Sequence, residues 1–214
     1  MRKIEPLLGF IIVAAVILKL NLIPGGSVLC VFAFSILGFI YSILGFAIFN
    51  EIRFRHVFKK ESYKGLTPLK IIGTIGFGWA LSSTCMGILF KVLLWSGADT
   101  ILISGLIQTL IVLIVALIQF AKNKAPFYKR VFKRIAIIGG FGLILSFVSD
   151  LTIVKMEYRN HPRYIEAFKE AQNNPEDETL KEKEYIEYMR VTLTKEEFEL
   201  FIKGTQSKFK NQTQ

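Results

Sequence analysis

Four charged side chains, Lys19, Lys91, Asp99 and Asp150, lie in or at the ends of long apolar runs, and two amides, Gln108 and Gln119, lie inside one. Lysine and aspartate in an apolar setting pair with each other, or cluster to hold a ligand or move a proton. Groups for other chemistry are few. His56 and His161 are the only histidines, and Cys30 and Cys85 the only cysteines. No His, Cys and carboxylate spacing suits a metal, and there is no His-Glu-x-x-His, Gly-x-Ser-x-Gly or Gly-Lys-Ser/Thr motif. Both cysteines fall in apolar runs, where the thiol acts as a small apolar group, so no disulfide is expected. His161, before Pro162, reads as a turn or capping residue. These residues point away from an enzyme and imply no cofactor.

The elements that would position these groups are apolar. Of the 214 residues, 52% are hydrophobic. Runs at residues 7–23, 27–49, 71–94, 99–121 and 135–154 each approach the ~20 residues a helix needs to cross ~30 Å of hydrocarbon. Only helices satisfy their own backbone there, which predicts an all-α polytopic membrane protein with about five transmembrane helices over residues 1–154. Asp150 makes the fifth run the weakest. The first run ends without small residues spaced for signal cleavage, so it is expected to be retained.

Charge gives the orientation. Residues 1–6, 50–70 and 122–134 carry 14 Lys/Arg, and the alternate connections 21–26 and 95–98 carry none. Positive loops stay inside, so the N terminus is expected in the cytoplasm, in the cytoplasmic membrane, with the tail outside after five crossings. Arg53, Arg55, Lys59 and Lys60, and again Lys129, Arg130, Lys133 and Arg134, alternate with aromatics beside the spans. That interleaving suits anionic lipid headgroups rather than nucleic acid.

The two outer turns look alike. Residues 18–27 (Leu-Lys-Leu-Asn-Leu-Ile-Pro-Gly-Gly-Ser) align without a gap with residues 90–99 (Phe-Lys-Val-Leu-Leu-Trp-Ser-Gly-Ala-Asp), 72 positions later. Gly25 and Gly97 suit a tight reversal, and Ser27 and Asp99 stand where each can cap the next helix. Residues 1–60 and 71–134 therefore read as a duplicated hairpin, with a fifth helix at 135–154. The motif Phe90-Lys91-Val92-x-x-Trp95-x-Gly97-Ala98 resembles the turn of the GldL-type gliding-motility membrane protein, and Gly105-Leu106 matches a following Gly-Leu. In that family the second hairpin helix carries a membrane-embedded Glu of a proton-driven motor. Thr109 stands at that position here, beside Gln108, and the family's long coiled coil has no counterpart. The resemblance implies the hairpin and argues against motor activity.

Small residues recur at helical spacing: Ser35, Gly38, Ser42 and Gly45; Gly73, Gly76, Ala80, Ser83 and Gly87; Gly105, Thr109 and Ala116. Such seams let membrane helices approach closely. Lys19 and Lys91 are short enough of the outer ends to snorkel, and Asp150 at similar depth is a candidate partner for either. Gln108 and Gln119 are expected to bond to neighbouring helices or to line a polar path.

Residues 155–204 read as a small helical extramembrane domain, with 205–214 a disordered tail. Pro162 opens one helix, Asn174-Pro175-Glu176-Asp177 starts another, and Thr194-Lys195-Glu196-Glu197 is a capping box, with Gly204 a stop. Sixty residues with so few large apolar groups make a thin core, which suits docking to a protein partner. The function expected is a non-catalytic subunit or scaffold of a membrane complex; the alternative is a small transporter or channel.

Overall fold

A computed structural model describes residues 4–50, 52, 56, 57, 59, 61 and 68–212. Helices α1 (Ile4–Leu20), α2 (Gly26–Phe49), α3 (Pro68–Val92) and α4 (Ala98–Asn123) are followed by α5 (Pro126–Arg134), a π-helical turn (Ile135–Gly139) and α6 (Gly140–Ser146). Then come α7 (Asp150–Glu157), α8 (Pro162–Asn173), α9 (Glu178–Thr192) and α10 (Lys195–Gln212). No strand occurs among the described residues. Three helices, Gly26–Phe49, Lys70–Val92 and Ala98–Lys122, are long and apolar enough to cross a membrane, or four if Pro126–Ser146 and Asp150–Glu157 count as one bent span. The chain divides into two units, Met1–Asp150 and Leu151–Gln214.

In the first unit α1 packs on α2, α2 on α3 and α3 on α4, with α5 and α6 laid against α3 and α4. The segment Pro126–Ser146 is one helical path interrupted by the π turn, so the fifth helix begins at Pro126 and ends at Ser146 rather than covering 135–154. Pro126 sets the start, since a proline in the first turn loses no intrahelical bond. The basic segment 127–134 is therefore the first part of that helix. Its Phe127 and Val131 are buried, and Phe127 meets the Phe49 and Phe77 rings at 6.4 and 6.2 Å.

The two glycine turns match bond for bond. Ile23 N donates to Leu18 O at 3.0 Å, as Trp95 N does to Phe90 O at 3.0 Å; Gly26 N reaches Ile23 O and Ala98 N reaches Trp95 O, both at 3.1 Å. Leu22 and Leu94 take φ of 54° and 55°, and Gly25 and Gly97 take 85° and 78°. Gly25 and Gly97 are themselves the N-caps, and no side chain caps either helix. Ser27 and Asp99 thus sit inside the first turn, two residues past the N-cap.

Backbone contact at glycine sets the spacing of the helices. A Cβ on Gly105 would lie 2.7 Å from Thr84 N, and one on Gly87 2.5 Å from the Leu102 Cα, so α3 and α4 touch main chain to main chain. A Cβ on Gly45 would lie 2.7 Å from the Gly78 Cα, and one on Gly78 would strike the Tyr41 carbonyl. Gly38 faces Met86, but Gly73 and Gly76 face open space. The seam of α3 therefore runs through Gly78 and not through Gly73 and Gly76. Gly139 and Gly142 of the fifth helix lie against the methyls of Thr109 and Thr84, where a Cβ would come within 3.2 and 3.1 Å.

The second unit centres on tyrosine. Tyr158 and Tyr164 are 4.5 Å apart and Tyr188 lies 5.8 Å from Tyr164, with Ile153, Val154, Ala167 and Ala171 buried around them. Burial holds both the Tyr158 and Tyr164 phenols above their usual range, so they stay protonated. The capping box forms as read: Thr194 N donates to Glu197 Oε2 at 2.9 Å and Glu197 N to Thr194 Oγ1 at 3.3 Å. The α9 cap is Asp177, whose Oδ1 accepts from Thr179 N at 2.9 Å and Leu180 N at 3.3 Å. Asn174 instead closes α8, its amide donating to Glu170 O at 3.1 Å. Helix α10 continues through Gly204, which keeps a helical backbone, to Gln212.

Two outcomes follow from these contacts. Gly105→Ala is expected to destabilise the protein in detergent by about 1–3 kcal/mol, because a backbone cannot yield to the new methyl. Gly76→Ala, facing open space, is expected to be neutral or stabilising by up to about 1 kcal/mol. Thermal unfolding of both variants checks the contrast. In the second unit, Asp177 is held below its usual range by the Thr179 hydroxyl and then by the Leu180 and Thr179 amides, and Glu197 by Thr194. Each stabilises its helix fully above its unfolded value near ~4 and loses that effect as pH falls through its lower folded value. Circular dichroism on acidification should show helix loss in the wild type, with a flatter acid response in Asp177→Asn.

Candidate functional site

Lys91 ends α3 with its side chain only 3% exposed. Its Nζ lies 2.6 Å from Asp99 Oδ1 and 2.6 Å from Asp150 Oδ1. The left-handed residues Leu94 and Gly97 reverse the chain so that Asp99, in the first turn of α4, returns over the end of α3. Asp150 arrives from elsewhere: α6 ends at Ser146 and the chain turns before α7 starts at Asp150. Two of the ammonium's three donors are thus taken by carboxylates, which remain 60% and 34% exposed on their other sides. The Lys91 ammonium thus stands between two carboxylates. Sequence reading placed Asp150 within the fifth helix; the structure puts it just past that helix, because the break at residues 147–149 frees it to turn toward Lys91. Lys19 is buried at the matching place in the α1–α2 turn.

A second ionic group sits toward the other end and was not anticipated. Arg134 Nε and Nη2 donate to the two oxygens of Glu5 at 2.7 and 2.5 Å, a two-pronged pair. Tyr41 donates to the same Glu5 Oε1 at 2.8 Å, and the Arg134 guanidinium stacks 5.1 Å from the Phe49 ring centre. This joins α1, α2 and α5. Arg134 therefore leaves the set of headgroup-facing cations: it lies on the face of α5 one turn beyond buried Val131, so it points inward. The only sequence signal was a lone Glu at the head of the first apolar run.

The described cations Lys59, Lys129 and Lys133 are exposed and Arg130 is half-buried, while Arg53, Arg55 and Lys60 fall outside the described residues. Lys70 stacks 5.2 Å over the Phe127 ring.

The interior carries neutral polar contacts. Thr84 and Thr109 are both buried; Thr84 donates to the Ala80 carbonyl at 3.0 Å, which leaves Thr109 as the donor in the 2.9 Å bond between the two hydroxyls. Gln108 accepts from Ser83 Oγ at 3.3 Å and donates to Ser104 Oγ at 3.4 Å. These residues line an open groove of about 360 Å³ with Ser82, Met86, Thr100 and Ile101. Gln119 is half-buried near the end of α4, eleven residues and about 16 Å along the helix from Gln108, so the two amides do not form one path.

Against protein-family models, curated proteins and solved structures, the chain matches none. The arrangement itself is what speaks to function.

Asp150→Asn is expected to lower the unfolding temperature in detergent, and Asp99→Asn to lower it less, because Asp99 is the more hydrated partner. In a double-mutant cycle, Lys91→Met with Asp150→Asn should be less destabilised than the sum of the singles. The coupling is expected to be about 0.5–3 kcal/mol, and a coupling of zero would rule out the contact as a stabilising one.

Proposed function

We propose that this chain is an integral membrane protein of five spans that acts as a non-catalytic scaffold or subunit of a membrane complex. One observation carries this reading: Lys91 and Arg134, two cations turned into the helical unit, are each paired with a carboxylate. Lys91 with Asp150 ties α3 to the chain just past the fifth helix, and Arg134 with Glu5 ties the fifth helix to α1. Ion pairs that hold helices together serve assembly; a catalytic or conducting group must instead face a substrate.

The membrane setting is supported by the outer faces of the helices. Phe10, Phe32, Phe39, Ile111, Ile118 and Ile144 are all exposed, a surface suited to lipid. Helix α1, at 17 residues, spans about 25 Å, and Pro126–Ser146 about 31 Å, both near the ~30 Å of a hydrocarbon core. With five crossings, both glycine turns and Asp150 fall on one side, and Lys59, Lys124 and Lys129 on the other. The positive-inside rule makes the latter side cytoplasmic, where the exposed cations meet anionic headgroups. The 72-residue offset of the matched turns supports a duplicated hairpin. The likeness to the gliding-motility family extends to that hairpin alone, since Thr109 is a neutral group already hydrogen-bonded. The second unit, with its thin core, is the element offered to a protein partner.

A small transporter or channel is the second reading, and the groove reaching Gln108 is what favours it. Water access separates the two. If Ser104→Cys in intact cells reacts with a membrane-impermeant thiol reagent from outside, transport gains; the scaffold reading expects no labelling. The main test is fractionation followed by purification in mild detergent. Recovery in the membrane fraction with a stoichiometric protein partner is expected. Recovery in the aqueous fraction, or labelling of Lys59 from outside intact cells, would overturn the topology.

A further inference from the structure

The two hairpins offer an internal comparison. Subtracting 72 from Ser82, Ser83, Thr100, Ser104 and Gln108 gives Phe10, Ile11, Val28, Phe32 and Ile36. In the α1–α2 hairpin this face is wholly apolar, and Phe10, Val28, Phe32 and Ile36 are exposed. In the α3–α4 hairpin the same face is a run of hydroxyls ending in a carboxamide, and it lines the groove of about 360 Å³. Hairpin geometry therefore does not demand the polarity.

Nor does packing against the fifth helix. At ~100° per residue, Ser82, Ser83 and Met86 lie on the side of α3 opposite Leu81, Thr84 and Ile88, and it is Thr84 and Ile88 that meet Gly142. On α4, Thr100, Ser104 and Gln108 recur every four residues. They extend about 15 Å from the start of the helix, half-way across a ~30 Å hydrocarbon layer. Acyl chains offer no partner for such groups, so an open polar stripe at that depth is costly. The existing bonds at Gln108, 3.3 and 3.4 Å long, are weak and leave amide capacity unused.

We propose that this face is covered in the membrane by the same face of a second copy of the chain, with the two Gln108 carboxamides hydrogen-bonded across a two-fold axis. The inference rests on the membrane reading above. The stripe is complementary to itself: each hydroxyl and each carboxamide both donates and accepts, so two-fold apposition satisfies both copies at once. Exposed Trp79, Ile107 and Ile111 supply apolar contact around it.

The test uses the full chain in membranes. Oxidation of Ser104→Cys is expected to give a disulfide-linked species of twice the chain mass, whereas Phe32→Cys, at the matching place in the other hairpin, gives none. Gln108→Leu should raise the dimer dissociation constant in lipid by about three- to twentyfold, the range for one interhelical hydrogen bond, and Gln108→Asn should recover part of it. A membrane-integrated, thermally folded protein that stays monomeric at every protein-to-lipid ratio would overturn the dimer and leave the scaffold reading intact. Cross-linking of Ser104→Cys to a different polypeptide would overturn the second copy as occupant, and equal linking at Phe32→Cys would overturn the choice of face. Failure to partition with membranes would overturn both readings.

Discussion

A lysine ammonium buried to 3% exposure among apolar helices requires anionic oxygen within reach. That requirement organises one end of the helical unit. The reversal after α3, through left-handed Leu94 and Gly97, brings Asp99 back over Lys91. The same requirement gives the break after Ser146 a purpose, since a continuous helix would carry Asp150 onward instead of across to α3. Removing water from a charge costs more than most single contacts return, so Lys91 in this place stabilises only while its partners stay. The Arg134–Glu5–Tyr41 group imposes the same condition toward the other end of the fifth helix.

Between the two ionic groups the helices are held by contact rather than charge. Membrane helices gain little from hydrophobic burial against one another when lipid is equally apolar, so close backbone approach matters more. Gly45 against Gly78, and Gly87 and Gly105 against the facing main chains, supply that approach. The buried Thr84–Thr109 bond stays within this layer, with Thr84 donating onward to the Ala80 carbonyl, and leaves only methyls for Gly139 and Gly142 to meet.

Periodicity and composition carried the helices and the glycine turns, because an apolar run of twenty residues and a Gly after it leave few alternatives. The capping box at Thr194 was equally local and equally legible. Partners distant in sequence were not. Glu5 and Arg134 are 129 residues apart, and nothing local distinguishes Arg134 from the exposed Lys133 except which face of α5 it occupies. The choice of Gly78 over Gly73 and Gly76 was hidden for the same reason: the spacing of small residues picks out Gly73 and Gly76 and passes over Gly78, but only the crossing point decides which meets a backbone. Asp99 misled in the opposite sense, since its cap-like position hid a stronger electrostatic partner. The start of the fifth helix at Pro126 was obscured by charge, because the basic residues that mark a membrane edge also form its first turns.

The two hairpins share a turn down to individual backbone bonds yet carry different burdens. Where the second has Asp99, Thr84 and Thr109, the first has Ser27, Ile12 and Leu37 at the matching positions. Where the second has Gly87 and Gly105, the first has buried Ala15 and Ala33. The first hairpin thus has a methyl at two positions where α3 and α4 touch at bare backbone, and an uncharged Ser27 where the second has Asp99. The second hairpin has Gly87 and Gly105 at its crossing, Asp99 beside Lys91 and the threonine face that receives the fifth helix. Its polarity on both faces and the apolar uniformity of its counterpart have one physical source. Polar side chains on a helix face call for hydrogen-bonding groups beside them, and an apolar face does not.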